Sequence, residues 1–290
     1  VSAFCNAGFS LFSTSFMRFR ADPYINIIMV SLIILGGIGF IVLLDVRKML
    51  FSKKRQGGRL FNKLSLQSKI ALSVSFSLII LGMVMILLLE NNNVLGSMSI
   101  REKLLGSLFH SVTPRTAGFN TLPVGDFRIA TLFFVIFLMF IGASPGSTGG
   151  GIKTCTFGVI LGAVWAMIHN RDNITMFKRT ITRSVFHRAF TIFVLSILWI
   201  FLVAMLLSIT EGADSHGDGY FVRILFETTS AFGTVGLTTG ITRTLSVFGK
   251  LLITITMFVG RIGPLTLALA VAMQKEKLVY KYPEERVMVG

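Results

Sequence analysis

The chain has 290 residues, of which 53% are hydrophobic and only 14% are charged, a composition that excludes an ordinary soluble domain. Its net charge is +15, but the basic residues flank apolar runs and lack interleaved aromatic residues, so nucleic acid binding is not expected. The two cysteines, Cys5 and Cys155, are too few and too far apart for a disulfide framework or a metal site. The sequence therefore predicts a membrane protein.

Apolar runs long enough to cross a bilayer recur along the chain. A transmembrane helix needs roughly 20 apolar residues, and this condition is met by residues 24–44, 70–89, 189–207 and 245–273. A fifth run, 129–167, is too long for one span and is interrupted by glycines. Two segments too short to cross, 101–112 and 220–232, are predicted to be re-entrant helices. We expect an all-α polytopic membrane protein in which units of outer helix, re-entrant pore helix, loop and inner helix surround a central pore.

Charge divides the chain into membrane and cytoplasmic parts. Basic residues concentrate in the segments 47–69 and 171–188 and in the tail, 274–290, so the positive-inside rule places these on the cytoplasmic side. The membrane parts between them are predicted, in chain order, to be one partial unit and two complete units, at 1–46, 70–170 and 189–273.

Three short polar segments repeat one design, in which a polar residue is followed by Ala or Val, then Gly, then a bulky apolar residue. We call them the filter segments, and they are Asn6-Ala7-Gly8, Thr116-Ala117-Gly118 and Thr234-Val235-Gly236. Lipid cannot satisfy the bare backbone groups of such loops, so they must line something polar. Rings of backbone carbonyls from repeated loops replace the water around an ion in potassium filters. The pattern predicts a cation filter, with glycine where the backbone needs unusual dihedral angles.

A glycine-rich stretch, residues 142–151, interrupts the long middle run. Pro145 and five glycines disfavour a regular helix there, and a non-helical stretch at membrane depth must be buried in protein or face water. We expect it to obstruct the pore as a gate, formed by Gly146, Ser147, Thr148, Gly149, Gly150 and Gly151. A nucleotide-binding P-loop is disfavoured because Ile152 separates Gly151 from Lys153.

Arg261 lies inside the final apolar run, where an arginine is costly and usually faces a cavity or a cluster of carbonyl groups. The alternative is that its side chain extends to the cytoplasmic interface. The apolar residues that follow favour the cavity. There Arg261 would repel cations, or it would hold the glycine-rich stretch closed by hydrogen bonds to its carbonyls or to hydroxyls such as that of Ser144.

No arrangement of Ser, His and Asp side chains or of paired carboxylates suggests catalysis, so an enzyme is not expected. Glu227, within a predicted re-entrant helix, would either add negative potential near the pore mouth or hold the filter in place, and the second role is preferred. The main alternative to a channel-like pore is a secondary transporter with broken helices, which would carry another cation or a small solute.

Four stretches of the sequence resemble the membrane subunit of bacterial Ktr potassium uptake systems, within the Trk/Ktr/HKT superfamily: 2–10, 110–120, 144–154 and 226–238. The resemblance implies potassium uptake, with K⁺ bound by the backbone carbonyls of the nine filter residues, a gate at the glycine-rich stretch, and sodium as an activator. It implies no bound cofactor. It further implies a homodimer in the bacterial plasma membrane, in contact with membrane lipid, with a cytoplasmic C-terminus and a nucleotide-binding regulatory ring of the KtrA type.

The sequence departs from that pattern in one respect. The family has four repeats around one pore, whereas this chain carries three filter segments, which match the second, third and fourth repeats. We therefore expect an N-terminally truncated fragment that cannot close a four-sided filter alone.

Overall fold

The structure, a computed structural model, describes residues 1–51, 64–171, 173–212 and 219–263. Within these ranges the chain forms nine α-helices and one two-stranded antiparallel hairpin. The helices are α1 (Pro23–Ile38), α2 (Phe40–Phe51), α3 (Leu66–Glu90), α4 (Ile100–Val112), α5 (Ile129–Phe140), α6 (Thr154–Ile168), α7 (Arg183–Glu211), α8 (Tyr220–Phe232) and α9 (Val247–Ile262). The strands are β1 (Ile174–Met176) and β2 (Arg179–Ile181). The predicted α-helical class is confirmed, and the hairpin is an addition to it.

Helices α3 and α7 have 25 and 29 residues and are apolar enough to cross a membrane. Helices α1 and α2 pass the same test together as a bent pair, and α5 and α6 are shorter apolar helices. Large apolar side chains are exposed along the helices, for example Phe76 at 66% and Phe201 at 63%. Such exposure suits a surface in contact with hydrocarbon, because lipid tails are as apolar as these side chains. The fold is that of a polytopic membrane protein.

Helices α4 and α8 are the re-entrant helices. At 13 residues each, they extend about 20 Å, whereas the hydrocarbon core is about 30 Å thick. Helix α4 begins at a capping box, in which the Ser99 hydroxyl accepts from the Glu102 N–H and the Glu102 carboxylate accepts from the Ser99 N–H. Helix α4 packs on α1 and α3, and α8 packs on α5, α7 and α9. Both helices enter the bundle and end inside it.

The predicted run 24–44 is not a single helix, and that expectation is wrong. Gly39, at φ +88°, separates α1 from α2, whose axes meet at 101°. A Cβ atom on Gly39 would lie 2.5 Å from the carbonyl oxygen of Pro145, so this approach of two backbones requires glycine. The Phe40 N–H then donates to the carbonyl of Gly146 at 3.1 Å. The helix breaks because it contacts the glycine-rich stretch, a tertiary contact that an apolar run does not reveal.

The predicted cytoplasmic segments also have different boundaries. Helix α2 continues to Phe51 and α3 starts at Leu66, so helix occupies both ends of the predicted loop 47–69. The segment 171–188 contains the hairpin and the first turn of α7. Lys and Arg are good helix formers, so a helix readily extends beyond its apolar part. Residues 264–290, which include the end of the predicted final span and the predicted tail, lie outside the described residues.

A glutamate joins the outer helix to the inner helix in both complete units. At the end of α3, the fully buried Glu90 carboxylate accepts from the Arg128 N–H at 2.9 Å and from the Thr131 hydroxyl, at the start of α5. At the end of α7, the Glu211 carboxylate accepts from the N–H and the hydroxyl of Ser246, at the start of α9. Helix N-termini favour a carboxylate because their N–H groups lack intrahelical partners. The same contact in both units supports a structural repeat.

We expect Glu90→Ala to lower the free energy of unfolding by about 1.5–3 kcal/mol, the usual value of hydrogen bonds to a charged group. The reason is that the buried donors at the start of α5 lose their acceptor. Denaturant unfolding of the purified protein in detergent micelles measures this loss. The control is Asp126→Ala, which removes an exposed carboxylate at the same end of the bundle. Equal stability of the two variants would show that Glu90 does not hold the helices together.

Candidate functional site

The three filter segments share one backbone conformation. Their first residues, Asn6, Thr116 and Thr234, have φ values of +50°, +72° and +49°, and the glycines at their third positions have +73°, +76° and +86°. The middle residues are not in this region, so the handedness of the backbone alternates along each segment. Left-handed backbone is unfavourable for Asn and more so for a β-branched residue such as Thr, so the surroundings must impose it.

A hydroxyl-bearing residue, which we call the clamp residue, precedes each filter segment and holds it from behind. The clamp residue accepts at its carbonyl from the N–H of the middle filter residue, and its hydroxyl donates to the carbonyl of the residue after the filter glycine. The clamp residues are Ser2, Thr113 and Ser230, whose hydroxyls donate to Phe9, Phe119 and Leu237 at 2.9, 2.7 and 2.6 Å. The corresponding N–H groups are those of Ala7, Ala117 and Val235, at 3.0, 3.0 and 2.8 Å.

This arrangement leaves the carbonyl groups of the filter segments without a backbone donor in the described part of the chain. Within the described ranges, none of the nine filter carbonyl oxygens accepts a backbone hydrogen bond, whereas the next carbonyl along each segment is bound by the clamp hydroxyl. Buried backbone carbonyls are seldom without a partner. Each segment therefore presents acceptors that can bind a cation.

The three filter segments lie side by side. A Cβ atom on Gly8 would lie 3.0 Å from the carbonyl oxygen of Ala117, and one on Gly118 would lie 2.2 Å from that of Val235. A Cβ atom on Gly236 would lie 3.8 Å from the Cα atom of Gly118. The first segment therefore contacts the second, and the second contacts the third.

The re-entrant helices hold the outer ends of the second and third segments. In α4, the buried His110 accepts at Nε2 from the Thr121 N–H at 3.3 Å. In α8, the Glu227 carboxylate accepts from the Thr239 N–H at 2.9 Å. Both acceptors bind the chain three residues after the filter glycine. Glu227 is therefore placed where the sequence interpretation put it, as support for the filter.

Arg115 directly precedes the second filter segment and is only 7% exposed. Its Nη2 donates to Oγ of Ser75 in α3 at 2.7 Å. The sequence analysis considered a buried arginine at Arg261 and did not single out Arg115, which lies in a re-entrant segment rather than in an apolar span. A buried guanidinium needs acceptors, so its contact fixes the start of the segment to the outer helix.

The glycine-rich loop, residues 141–153, joins α5 to α6 and is non-helical, as predicted. Its two arms pair, because the Gly142 N–H donates to the Ile152 carbonyl at 2.8 Å. Its tip is bound to α1, where the Ser144 N–H donates to the Gly37 carbonyl at 2.9 Å. The loop is thus a defined part of the bundle.

The loop touches the inner end of the filter, the end formed by the first residue of each segment. A Cβ atom on Gly149 would lie 2.2 Å from Oγ1 of Thr116, and one on Gly150 would lie 2.4 Å from Oγ1 of Thr234. Both glycines are buried. No larger residue fits at these two positions without displacing a filter segment.

Two positively charged side chains donate hydrogen bonds to the loop. Arg261 in α9 donates from Nη1 to the Thr148 carbonyl at 2.6 Å, and Lys153 donates from Nζ to the Gly149 carbonyl at 2.6 Å. The predicted contact between Arg261 and the loop is present, and its acceptor is a carbonyl. The Ser144 hydroxyl lies instead 3.0 Å from Oγ1 of Thr154. Lys153 was missed, because its acceptor is a backbone carbonyl and leaves no signal in the sequence.

The remaining predicted gate residues have structural contacts. Gly146 meets the bend between α1 and α2, the Ser147 hydroxyl accepts from the Gly149 N–H at 3.4 Å, and a Cβ atom on Gly151 would lie 3.4 Å from Gly233 Cα. All six predicted loop residues therefore lie between the bent inner helix and the filter.

A sequence profile described as TrkH, cation transport protein, matches residues 1–281 of the chain. The chain belongs to the TrkH cation transport family. The family assignment agrees with the resemblance noted from the four sequence stretches.

Proteins from several bacteria align with this TrkH-family chain over its whole length. It is 42% identical to Ktr system potassium uptake protein B of Bacillus subtilis (strain 168), and it covers 62% of that protein. It is 41% identical to the protein of the same name from Vibrio alginolyticus and 40% identical to potassium/sodium uptake protein NtpJ of Enterococcus hirae, covering 61% and 62% of them. The chain thus spans less than two thirds of the length of these relatives.

The TrkH-family fold is also found in a solved structure, the potassium transporter TrkH from Vibrio parahaemolyticus. The TM-score is 0.71 at 20% sequence identity, and the match covers 93% of this chain and 56% of that one. At this identity the likeness concerns the fold alone.

The sequence analysis of this TrkH-family chain singled out the three filter segments but missed the clamp residues. A signal for them exists, because a Ser or Thr stands three or four residues before the first residue of every filter segment. Serine and threonine are so common before turns that the spacing has meaning only once the three segments are aligned.

We expect Ser230→Ala to speed amide hydrogen exchange in the third filter segment, because the clamp hydroxyl no longer holds the Leu237 carbonyl and the Val235 N–H opens more often. Hydrogen–deuterium exchange of the peptide that contains Val235 measures this. Ser196→Ala is the matched control, since Ser196 is also buried and donates to a carbonyl, that of Ile192, at 2.7 Å. If both variants speed amide exchange of the Val235 peptide equally, the proposed role of the clamp hydroxyl is contradicted.

Proposed function

We propose that this chain supplies three sides of a potassium-conducting filter and its gate, and that the protein mediates potassium uptake. The observation that carries the proposal is the repeated filter backbone, in which a clamp residue binds the N–H of each middle residue and the carbonyls have no backbone donor in the described ranges. Membership of a cation transport family supports cation transport. The names of the relatives, potassium uptake proteins, support potassium as the cation.

The proposed binding sites are the backbone carbonyls of Asn6, Ala7, Gly8, Thr116, Ala117, Gly118, Thr234, Val235 and Gly236. Carbonyl oxygens replace the hydration shell of K⁺ when the backbone is held so that they cannot turn away. The clamp hydrogen bonds provide that restraint. The C-terminal ends of α4 and α8 point at the filter region and carry partial negative charge, which favours a cation there.

We further propose the assembly and setting that the resemblance implies. These are a homodimer in the bacterial plasma membrane, a cytoplasmic C-terminus, a nucleotide-binding regulatory ring of the KtrA type, and stimulation by sodium. The word system in the names of the Ktr relatives supports further subunits, and NtpJ is named a potassium/sodium uptake protein.

The alternative is a secondary transporter. Broken helices are typical of such proteins, and the bend at Gly39 and the loop between α5 and α6 are breaks of this kind. The two are separated by unitary current steps in a planar bilayer, which a conducting filter produces and a coupled transporter does not.

The filter is tested by Gly118→Ala. We expect potassium uptake into liposomes that contain the full-length protein to fall by at least about tenfold, since left-handed strain of about 1–3 kcal/mol adds to a Cβ atom 2.2 Å from the Val235 carbonyl oxygen. The control is Gly240→Ala, which carries the same kind of strain at φ +102° but has no atom of the described residues within 4 Å of the new Cβ. Normal potassium uptake by the Gly118→Ala protein would overturn the assignment of these segments as the filter.

We propose that the glycine-rich loop is the gate and that Arg261 holds it closed. Three contacts support this: the loop meets the filter at Gly149 and Gly150, its tip is bound to α1, and Arg261 binds the Thr148 carbonyl from α9. A loop in this position would obstruct the path of an ion beside the first residues of the second and third segments. Two positive charges next to it add an electrostatic barrier to cations.

Arg261→Ala should raise potassium flux in the absence of a regulatory partner. A hydrogen bond from a charged donor is worth about 1.5–3 kcal/mol, so the closed-to-open ratio should fall by roughly tenfold or more. Flux measured in liposomes at fixed protein density checks this, with Lys250→Ala, a charge removed from the other end of α9, as the control. Unchanged or lower flux in a well-folded Arg261→Ala protein would show that the loop is only a packing element.

A further inference from the structure

Three polar side chains at the inner end of the filter are buried without a hydrogen-bond partner. These side chains belong to Asn6, Thr116 and Thr234. The described part of the chain supplies no hydrogen-bond partner for Nδ2 or Oδ1 of Asn6, or for Oγ1 of either threonine. Asn6 is 5% exposed and Thr116 is fully buried. All three occupy the first position of their filter segments, so they belong to one layer. Burial of a hydroxyl or an amide without a partner is unfavourable, and a threefold repeat of it at equivalent positions points to a ligand.

The glycine-rich loop occupies the space beside this layer. Gly149 approaches Oγ1 of Thr116 and Gly150 approaches Oγ1 of Thr234, each so closely that a Cβ atom would overlap the oxygen. A Cβ atom on Gly37, in the helix to which the loop tip is bound, would lie 3.4 Å from Nδ2 of Asn6. Glycine offers no side-chain hydrogen bond, so the loop covers the oxygens without satisfying them.

We infer that the side-chain oxygens of Asn6, Thr116 and Thr234 form a binding site for a dehydrated alkali cation, and that the cation and the glycine-rich loop exclude each other from it. This inference rests on the proposed potassium filter and adds a site made of side chains beneath the backbone carbonyls. Neutral amide and hydroxyl oxygens are suitable ligands for a hard monovalent cation. A carboxylate is not among them, so the site releases the ion easily.

The competition couples ion occupancy to the gate. A cation that binds only when the loop has moved stabilises the displaced loop, by linkage. By the same linkage, a loop held closed lowers the affinity of this inner site by the same factor. Potassium itself therefore favours the open arrangement, independently of any regulatory subunit.

The experiment measures how accessible a buried loop residue is as a function of the cation present. Ser144, which is fully buried, is changed to Cys in the full-length protein, on a background with Cys5→Ala and Cys155→Ala. A charged thiol reagent is applied from the cytoplasmic side in potassium or in the impermeant cation N-methylglucamine. We expect potassium to speed modification by roughly 5- to 150-fold, the usual range of coupling between linked sites.

Two sets of variants assign the effect to the proposed ligands. Thr116→Val with Thr234→Val removes both hydroxyls and keeps the side-chain shape, so the effect of potassium should disappear. Thr116→Ser with Thr234→Ser keeps the hydroxyls and should retain it. Thr121→Val is the matched control, because Oγ1 of Thr121 is likewise buried without a partner in the described residues but follows the filter at its outer end. If the double valine variant does not purify as a single species, each single valine variant should reduce the effect.

Two results overturn the inference: equal modification rates in both cations for the threonine protein, or a potassium effect that persists in the valine variants. Rubidium flux through the same preparations separates this inference from the proposed function. Flux without potassium-dependent modification would reject the inner site and leave the filter intact. Potassium-dependent modification without flux would retain the inner site and reject the proposed conduction.

Discussion

The structure depends on one constraint, which is that the backbone N–H of each middle filter residue is bound on one side of the segment, while the carbonyls remain available on the other. Peptide groups in a membrane must pair, and most do so in helices. Here a single residue, the clamp residue, uses its carbonyl and its hydroxyl to close a turn of seven or eight residues. The re-entrant helices, the buried Arg115 and the acceptors on α4 and α8 all hold the chain on either side of that turn.

The repeat extends beyond the filter. The two complete units end their outer helices with a glutamate that binds the start of the inner helix, although one of these carboxylates is fully buried and the other is partly exposed. The inner helices of the first and last units show another shared device. A Cβ atom on Gly36 would lie 1.9 Å from the Phe4 carbonyl oxygen and one on Gly260 would lie 1.7 Å from that of Phe232, two residues before the respective filter segments. Equivalent glycines thus let the inner helices approach the filter backbone.

The elements that follow from local pattern were predictable from the sequence. The short apolar segments at 101–112 and 220–232 and the proline and glycines of the loop have strong local signals, and the structure forms re-entrant helices and a non-helical loop there. The break at Gly39, the buried Arg115 and the contact of Lys153 were not predictable in this way. Each depends on a partner more than 30 residues away, or on a carbonyl group, which is the same in every residue and leaves no trace in the amino-acid sequence.

The two cations that bind the loop come from different directions, and this determines how the loop can move. Lys153 belongs to the same unit and binds the Gly149 carbonyl from the base of α6, whereas Arg261 reaches the neighbouring Thr148 carbonyl from α9. A shift of α9 would release only one of the two carbonyls. The loop would then rotate about the hydrogen bond at Gly149 rather than move away from the filter as a whole. The part of the loop before that hydrogen bond, from Ser144 to Thr148, would move farthest.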